Sequence, residues 1–383
     1  MQSSVFRAVE VFYQFFALGF VSFGGPAAHI GYFRNTFVEK LKWIDDLAYA
    51  KLIALSQFLP GPGSSQLGFA IGLRQAGLLG GIAAFIGFTL PSFFLLYFLA
   101  IAQFDNSPDS VFAGIVQGLK LLAVVVVADA SYNMFKSFCK ETKAVAIAAF
   151  TAAALLIFPG LISQIFVLIL AAVVGVLFVQ AKPSSVSEGR VSFLPLILFL
   201  CLLLGLPFLV GYSDWLQLAN DFFFSGSLVF GGGHVVLPLL QQTLGDEVAA
   251  DRFLLGYAAA QGVPGPMFTL SAFLGAELAP GSPLLGALVA TLAIFLPGFL
   301  LVLGLQNAWE GLSSKPRVAG AVWGVNAAVV GLLISALYQP VFISAVDSSL
   351  AMAAVILGLF ALRSLKLPIV LMVALFAAFG VLF

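Results

Sequence analysis

One pattern occurs twice in this chain. Phe23-Gly24-Gly25-Pro26 returns as Phe230-Gly231-Gly232-Gly233, and Gln57-Phe58-Leu59-Pro60-Gly61-Pro62 returns as Gln261-Gly262-Val263-Pro264-Gly265-Pro266. Leu90-Pro91-Ser92-Phe93 returns as Leu296-Pro297-Gly298-Phe299, and Gly114-x-x-x-Gly118 as Gly320-x-x-x-Gly324. The offsets are 207, 204, 206 and 206. Four matches in one order at a nearly constant offset read as an internal duplication, with an N-terminal repeat over 1–181 and a C-terminal repeat over 212–383. A polar stretch from Lys182 to Arg190 and one extra helix over about 192–211 join them, so the linker runs over 182–211.

The surroundings of these motifs fix the solvent. Of the 383 residues 61 % are hydrophobic and 9 % charged, against about 45–50 % and about 25 % in soluble domains. So few charges cannot solvate a globule of this size, which excludes a soluble enzyme and a disordered chain. The 17 Lys and Arg balance 17 Asp and Glu, so the basic excess of a nucleic-acid binder is missing. The apolar runs are continuous, whereas a porin-like barrel would alternate. The fold class is therefore an all-α polytopic membrane protein, with room for about ten to thirteen helices at roughly 20 residues each. Cys139 sits among lysines and Cys201 in an apolar run, so no structural disulfide is expected. With two histidines, and neither a CxxC nor an HExxH motif, no metal or other cofactor is expected. No removable signal segment is read at the N-terminus.

Charge placement orients the copies. The loop after the first Gly-Gly-Pro break carries Arg34, Lys40, Lys42 and Lys51, while its counterpart carries Asp246, Glu247 and Asp251 with only Arg252 basic. By the positive-inside rule the first loop is cytoplasmic and the second periplasmic. Later connections alternate in step: Arg74 inside, Asp105 and Asp109 outside, Lys136, Lys140 and Lys143 inside, Lys315 and Arg317 inside, Asp347 outside. The copies are thus expected to be inverted in the membrane, with the extra helix supplying the odd crossing. Segments 5–38 and 47–73 are either re-entrant hairpins, giving about nine full crossings plus four broken segments, or discontinuous spans, giving about thirteen crossings. Both readings put the N-terminus on the cytoplasmic side and the C-terminus on the periplasmic side.

The breaks are the candidate site. Proline removes a helical donor and glycine tolerates the dihedrals that follow. Unwound backbone at membrane depth is tolerated only where protein or a water-filled cavity surrounds it. After Pro60-Gly61-Pro62-Gly63 a half-helix begins with Ser64, Ser65 and Gln66, whose first N–H groups lack partners and carry the positive end of the helix dipole. This is an anion-binding element. The second copy offers Gly265 and Thr269, Thr269 matching Ser65, and each break is preceded by a glutamine, Gln57 or Gln261. Gly24, Gly25, Gly231 and Gly232 make the same case more weakly. Lys120 lies inside an apolar helix, and Asn326 is its counterpart, so both copies place a polar group at one position. A buried lysine favours an anionic substrate. Asp129, Glu10 and His29 are the candidate proton carriers. Lys120 and Asp129 do not form the clustered acid/base or nucleophile pair that a membrane-embedded enzyme needs, whereas inverted repeats with broken helices are the layout of secondary transporters.

Over nearly its whole length the sequence resembles the chromate ion transporter family. The likeness rests on Phe23-Gly24-Gly25-Pro26-Ala27-Ala28-His29-Ile30, Gln57 to Gly63, Phe88-Thr89-Leu90-Pro91-Ser92, Phe230 to His234, Ala260 to Pro266 and Gly324-Val325-Asn326-Ala327-Ala328-Val329-Val330-Gly331. The match is to the long form with two oppositely oriented halves. The resemblance implies chromate efflux across the inner membrane driven by the proton-motive force. The second copy departs from the pattern by Met267 after its Pro-Gly-Pro and lacks a second lysine, so the two half-sites are not equivalent. Sulfate is the natural competitor as a tetrahedral dianion, and a passive anion channel is the other alternative. The expected partners are a small inorganic anion and the lipid bilayer, with a homodimer left open and no nucleic acid.

Overall fold

The computed structural model of the protein describes residues 4–102, 110–178, 189–230, 235–313 and 315–383. Among them the regular structure is helical, without strands. In hydrocarbon each backbone donor and acceptor must be satisfied inside its own segment, and a continuous apolar run does this only as a helix. Among the described residues seven helical runs are long and apolar enough to cross a membrane, which makes this an all-α multi-pass membrane protein.

Two compact units form, and they are not the two sequence copies. The first comprises Met1–Gln103, Ser192–Gly233 and Ala259–Gln306; the second comprises Phe104–Val191, His234–Ala258 and Asn307–Phe383. The first unit contains α1 (Ser4–Val21), α2 (Gly25–Phe33), α3 (Asp46–Phe58), α4 (Gly63–Ile101), α8 (Phe193–Leu209), α9 (Asp214–Leu228), α12 (Leu270–Leu278) and α13 (Pro283–Leu305). The second contains α5 (Val111–Phe138), α6 (Thr142–Ile157), α7 (Leu161–Phe178), α10 (Val236–Leu244), α14 (Trp309–Ser313), α15 (Pro316–Ala336), α16 (Ile343–Ala345), α17 (Ser349–Arg363) and α18 (Ile369–Leu382). Helix α11 (Ala250–Gly262) runs through the division. Each unit thus draws matching segments from both copies, except that 234–258 joins the second unit while its counterpart in the first copy joins the first.

Within the first unit, α4 is written as one helix of 39 residues but is a hairpin. Ala76 and Gly77 leave the helical region, with Gly77 at φ +64°. A Cβ on Gly72 would clash with the Gly80 carbonyl oxygen and with Ala84. Residues eight apart in a straight helix stand about 12 Å apart, so this contact requires the chain to turn back. The connection expected at Arg74 from charge lies two residues before the reversal. The second copy repeats the arrangement with two separate helices, α12 and α13, where Gly275 abuts the Gly286 carbonyl and Ala290. Helix α1 packs along α4, and α9 along α13. Helix α8, the extra one, has no buried residue, as suits a segment facing lipid.

Within the second unit the glycine pairs act as packing faces. Gly114 and Gly118 of α5 lie on the backbone of Gly380 and Phe376 in α18, and Gly320 and Gly324 of α15 lie on Gly175 and Ala171 in α7. Side chains of one hydrogen let the helix backbones touch. Each copy's glycine-faced helix is therefore covered by the other copy's terminal helix.

Candidate functional site

The two Pro-Gly-Pro breaks lie in the first unit, and each is anchored on the other copy. Gly61 adopts φ +120° and its N–H donates to the Val229 carbonyl, just past α9, at 2.7 Å. Gly265 adopts φ +106° and its N–H donates to the Ser22 carbonyl, just past α1, at 3.0 Å. The closest approaches are paired in the same way. A Cβ on Gly61 would stand 3.1 Å from the Gly298 Cα, and one on Gly265 would stand 2.9 Å from the Ser92 Oγ. Gly298 and Ser92 occupy matching places in the repeated Leu-Pro-x-Phe motif. One pair of contacts is made twice with the copies exchanged. The left-handed dihedrals and the tight approach both require glycine at these two places.

The chemistry gathers at the first break. Helix α4 starts after Pro62 with no side-chain cap, so its first-turn N–H groups are left for another acceptor. His29 is fully buried. Its Nε2 is 3.2 Å from the Ser22 carbonyl and its Nδ1 is 3.1 Å from the Ser64 Oγ. A carbonyl only accepts, so Nε2 carries the hydrogen, and the neutral ring accepts the Ser64 hydroxyl proton at Nδ1. The Ser22 carbonyl therefore takes hydrogen bonds from both Gly265 and His29, linking the second break to the start of α4. The Phe88 ring meets the imidazole edge-on at 5.1 Å. The Gln66 amide donates to the carbonyls of Pro60 (2.8 Å) and Gly298 (3.3 Å). Around this crossing the buried Ser22 Oγ, Ser65 Oγ, Gln66 Oε1 and Thr89 Oγ1 have no hydrogen-bond partner among the described residues. An unpaired buried polar group costs about 1–3 kcal/mol. Free hydroxyls beside an uncapped helix N-terminus are suited to a bound oxyanion.

The second break closes on itself. Met267–Thr269 form a single 3-10 turn before α12. The Thr269 hydroxyl is spent on the Pro266 carbonyl at 2.5 Å, and the Gln261 amide is 2.6 Å from the Met267 Sδ. Phe268 and Leu270 stand where the first copy has Ser64 and Gln66. Of the other expected site residues, Gln57 is exposed on the outer face of α3. Gly63 opens α4, with a Cβ there 3.1 Å from the Ser56 carbonyl. Gly24 and Gly25, at φ +96° and +74°, form the left-handed turn into α2. Gly231 and Gly232 lie outside the described residues.

The remaining candidates belong to the second unit, apart from Glu10, which is half-buried on α1 in the first. Lys120, 8 % exposed, pairs with Asp251 at 2.8 Å. They share an open cavity of about 840 Å³ with Gln117 and Arg252. Local spacing could not reveal this partner, which stands at the start of α11 in the other copy. Asn326 is buried in α15 with its Oδ1 unpartnered. Asp129 lies 3.7 Å from the Arg363 Nε and accepts from the Asn133 amide at 2.9 Å. The Arg363 guanidinium in turn covers the Tyr132 ring at 3.7 Å. Asp129 is thus an anchored counter-charge.

The family model described as chromate transporter matches residues 9–176 and again residues 216–381. An uncharacterized transporter of Methanocaldococcus jannaschii is 25 % identical over 98 % of this chain and 94 % of its own length. A probable chromate transport protein of Synechococcus elongatus is 29 % identical over 96 % and 94 %. A chromate transport protein of Cupriavidus metallidurans is 28 % identical over 94 % and 89 %. No solved structure matches the chain. With the family model covering both halves of a helical, multi-pass chain, the protein is a membrane transporter and belongs to the chromate transporter family.

Proposed function

We propose that this protein exports chromate across the inner membrane by alternating access, with the proton-motive force as the energy source. The observation that carries the reading is the crossing in the first unit. There an uncapped helix N-terminus, the free hydroxyl of Ser65 and the His29-linked hydroxyl of Ser64 converge beside buried oxygens with no partner of their own. A dianion accepts hydrogen bonds from such donors and from the positive end of α4. His29 is the proton carrier in this reading. Protonation at Nδ1 turns that nitrogen from acceptor to donor, reverses the Ser64 hydroxyl and changes what the site offers the anion. In the second unit, Lys120 binds the same anion at a separate step by exchanging its Asp251 carboxylate for the oxyanion; Asn326, its counterpart in the other copy, offers a buried amide in α15. The two copies lie inverted in the membrane, with the N-terminus cytoplasmic and the C-terminus periplasmic. The charge pattern supports this orientation: re-entrant breaks keep fifteen of seventeen Lys and Arg on the cytoplasmic side.

Uptake of labelled chromate into everted vesicles tests the reading. The expected result is uptake that rises with an imposed proton gradient and falls when Ser64 and Ser65 are replaced by alanine. Uptake unaffected by the gradient would identify a passive channel instead. Hydroxyl and N–H donors do not distinguish chromate from sulfate, which has the same shape and charge, so sulfate transport is the second reading. Strong competition by equimolar sulfate would favour it.

A further inference from the structure

We infer that a cavity in the second unit binds a monovalent alkali cation. The cavity, about 330 Å³, is lined by Gln164 in the first turn of α7, Gln241 and Gln242 on α10, Ser335 at the end of α15 and Gln339 just past it. Gln164 is 1 % exposed. The Oε1 atoms of Gln164, Gln241 and Gln242 are all buried without a hydrogen-bond partner among the described residues. Three unpaired amide oxygens on one small cavity form a ligand set rather than a packing accident.

The local field selects the sign of the ligand. Leu155 and Leu156 in the last turn of α6 and Ser335 and Ala336 in the last turn of α15 also line the cavity. Helix C-termini carry partial negative charge on carbonyls without helical partners. Beyond α15 the backbone leaves the helical region at Gln339 (φ −127°, ψ 116°) before Pro340. Unwound backbone beside a helix C-terminus is a common way for transporters to hold a small cation. Each amide can turn over, and the negative helix ends favour the orientation that aims N–H groups at the carbonyls and leaves the oxygens for a cation. Two helix C-termini face the cavity against one N-terminus, that of α7, so the helix ends together favour a cation over an anion.

The charge of the cation follows from the lining. Among the described residues it contains no Asp, Glu, Lys, Arg or His, so the described oxygen set is neutral. Mg²⁺ dehydrates reluctantly, and Mg²⁺ and Ca²⁺ sites alike draw on carboxylates for their charge. A neutral set of amide, hydroxyl and carbonyl oxygens suits Na⁺ or K⁺. This inference shares no residue with the anion site and does not rest on it.

Thermal unfolding of the purified full-length protein in detergent, without chromate, provides the test. NaCl, KCl and choline chloride are titrated at constant ionic strength. The expected result is a saturable rise in Tm with Na⁺ or K⁺ and none with choline. In Gln164→Leu/Gln241→Leu the Na⁺- and K⁺-dependent rise disappears, whatever the Tm in choline. Should that variant not fold, Gln242→Glu serves as the second arm: by adding a charge to the same oxygen set it lowers the half-saturating cation concentration by about tenfold or more. An equal effect of choline, a rise that survives in the leucine variant, or an unchanged half-saturation in Gln242→Glu overturns the inference. So does a sulfate-dependent rise that the leucine variant loses. A failure of chromate uptake alters none of these readouts.

Discussion

The two broken helices share a backbone and differ in chemistry. At both, a left-handed glycine sends its N–H to the residue just past the other copy's first helix, and both press on the same motif in the opposite copy. Only the first break surrounds that backbone with polar side chains that have capacity to spare. His29, Ser64, Ser65 and Gln66 stand where the second copy has Val236, Phe268, Thr269 and Leu270, and the Thr269 hydroxyl is already spent on Pro266. The duplication therefore supplies a symmetric frame, and side chains on one side of it supply the binding chemistry. The second break acts as a brace for the first, because Gly265 and His29 share the Ser22 carbonyl.

The largest expected effect tests the shared frame. Gly61→Val and Gly265→Val each force a β-branched residue into a left-handed conformation, costing about 1–3 kcal/mol before any clash, and each then collides with the opposite copy. Both variants should fail to yield monodisperse protein in fluorescence-detected size-exclusion chromatography. Normal yield from Gly265→Val alone would mean that the second break is not a brace. The next effect tests the division of chemistry. A hydrogen bond to a charged group contributes about 1.5–3 kcal/mol, so Ser64→Ala/Ser65→Ala should lower chromate uptake by about tenfold or more. Thr269→Val should change it less than about twofold, since its hydroxyl is already paired. Equal losses at the two breaks would make the site symmetric. A smaller and more selective change is expected from His29→Asn, which keeps a polar amide able to donate and accept but cannot titrate: chromate exchange should persist while its dependence on the proton gradient disappears. The smallest effect concerns the turns that follow the breaks. Gly77 sits at φ +64°, ψ −155° in open space, a region nearly reserved for glycine, so Gly77→Ala should cost about 1–3 kcal/mol and lower Tm by about 2–4 °C per kcal/mol, with uptake unchanged.

Much of the frame was legible from spacing alone. Proline and glycine at fixed offsets mark the breaks because their backbone consequences are local, and the Gly-x-x-x-Gly pairs mark close helix approaches for the same reason. The all-helical, multi-pass class followed from scarce charge and continuous apolar runs. The partners were not legible. Gly61 with Val229, Gly265 with Ser22 and Lys120 with Asp251 are joined across the copies, and periodicity along one helix carries no information about such distant contacts. Gln57 and Gln261 look equivalent in sequence, yet one is exposed and the other is turned onto Met267. His29 could be named as a titratable group in the apolar region, but its link to Ser64 depends on how α2 folds back after the Gly24–Gly25 turn. One signal within the sequence did point to the asymmetry: the polar run Gly63-Ser64-Ser65-Gln66 has Met267-Phe268-Thr269-Leu270 as its counterpart.

The exchange of helices in the second unit also has a consequence for biogenesis. The Gly114 and Gly118 face of α5 is covered by α18, which leaves the ribosome on the order of tens of seconds later at about 5–20 residues per second. Until then a bare backbone groove faces lipid, and the N-terminal copy cannot complete its own packing. Insertion and assembly are therefore separate events for this chain: a nascent protein stalled before Ile369 would have every helix but the last in place yet an uncovered α5 face, and quality-control proteases would meet it in that state.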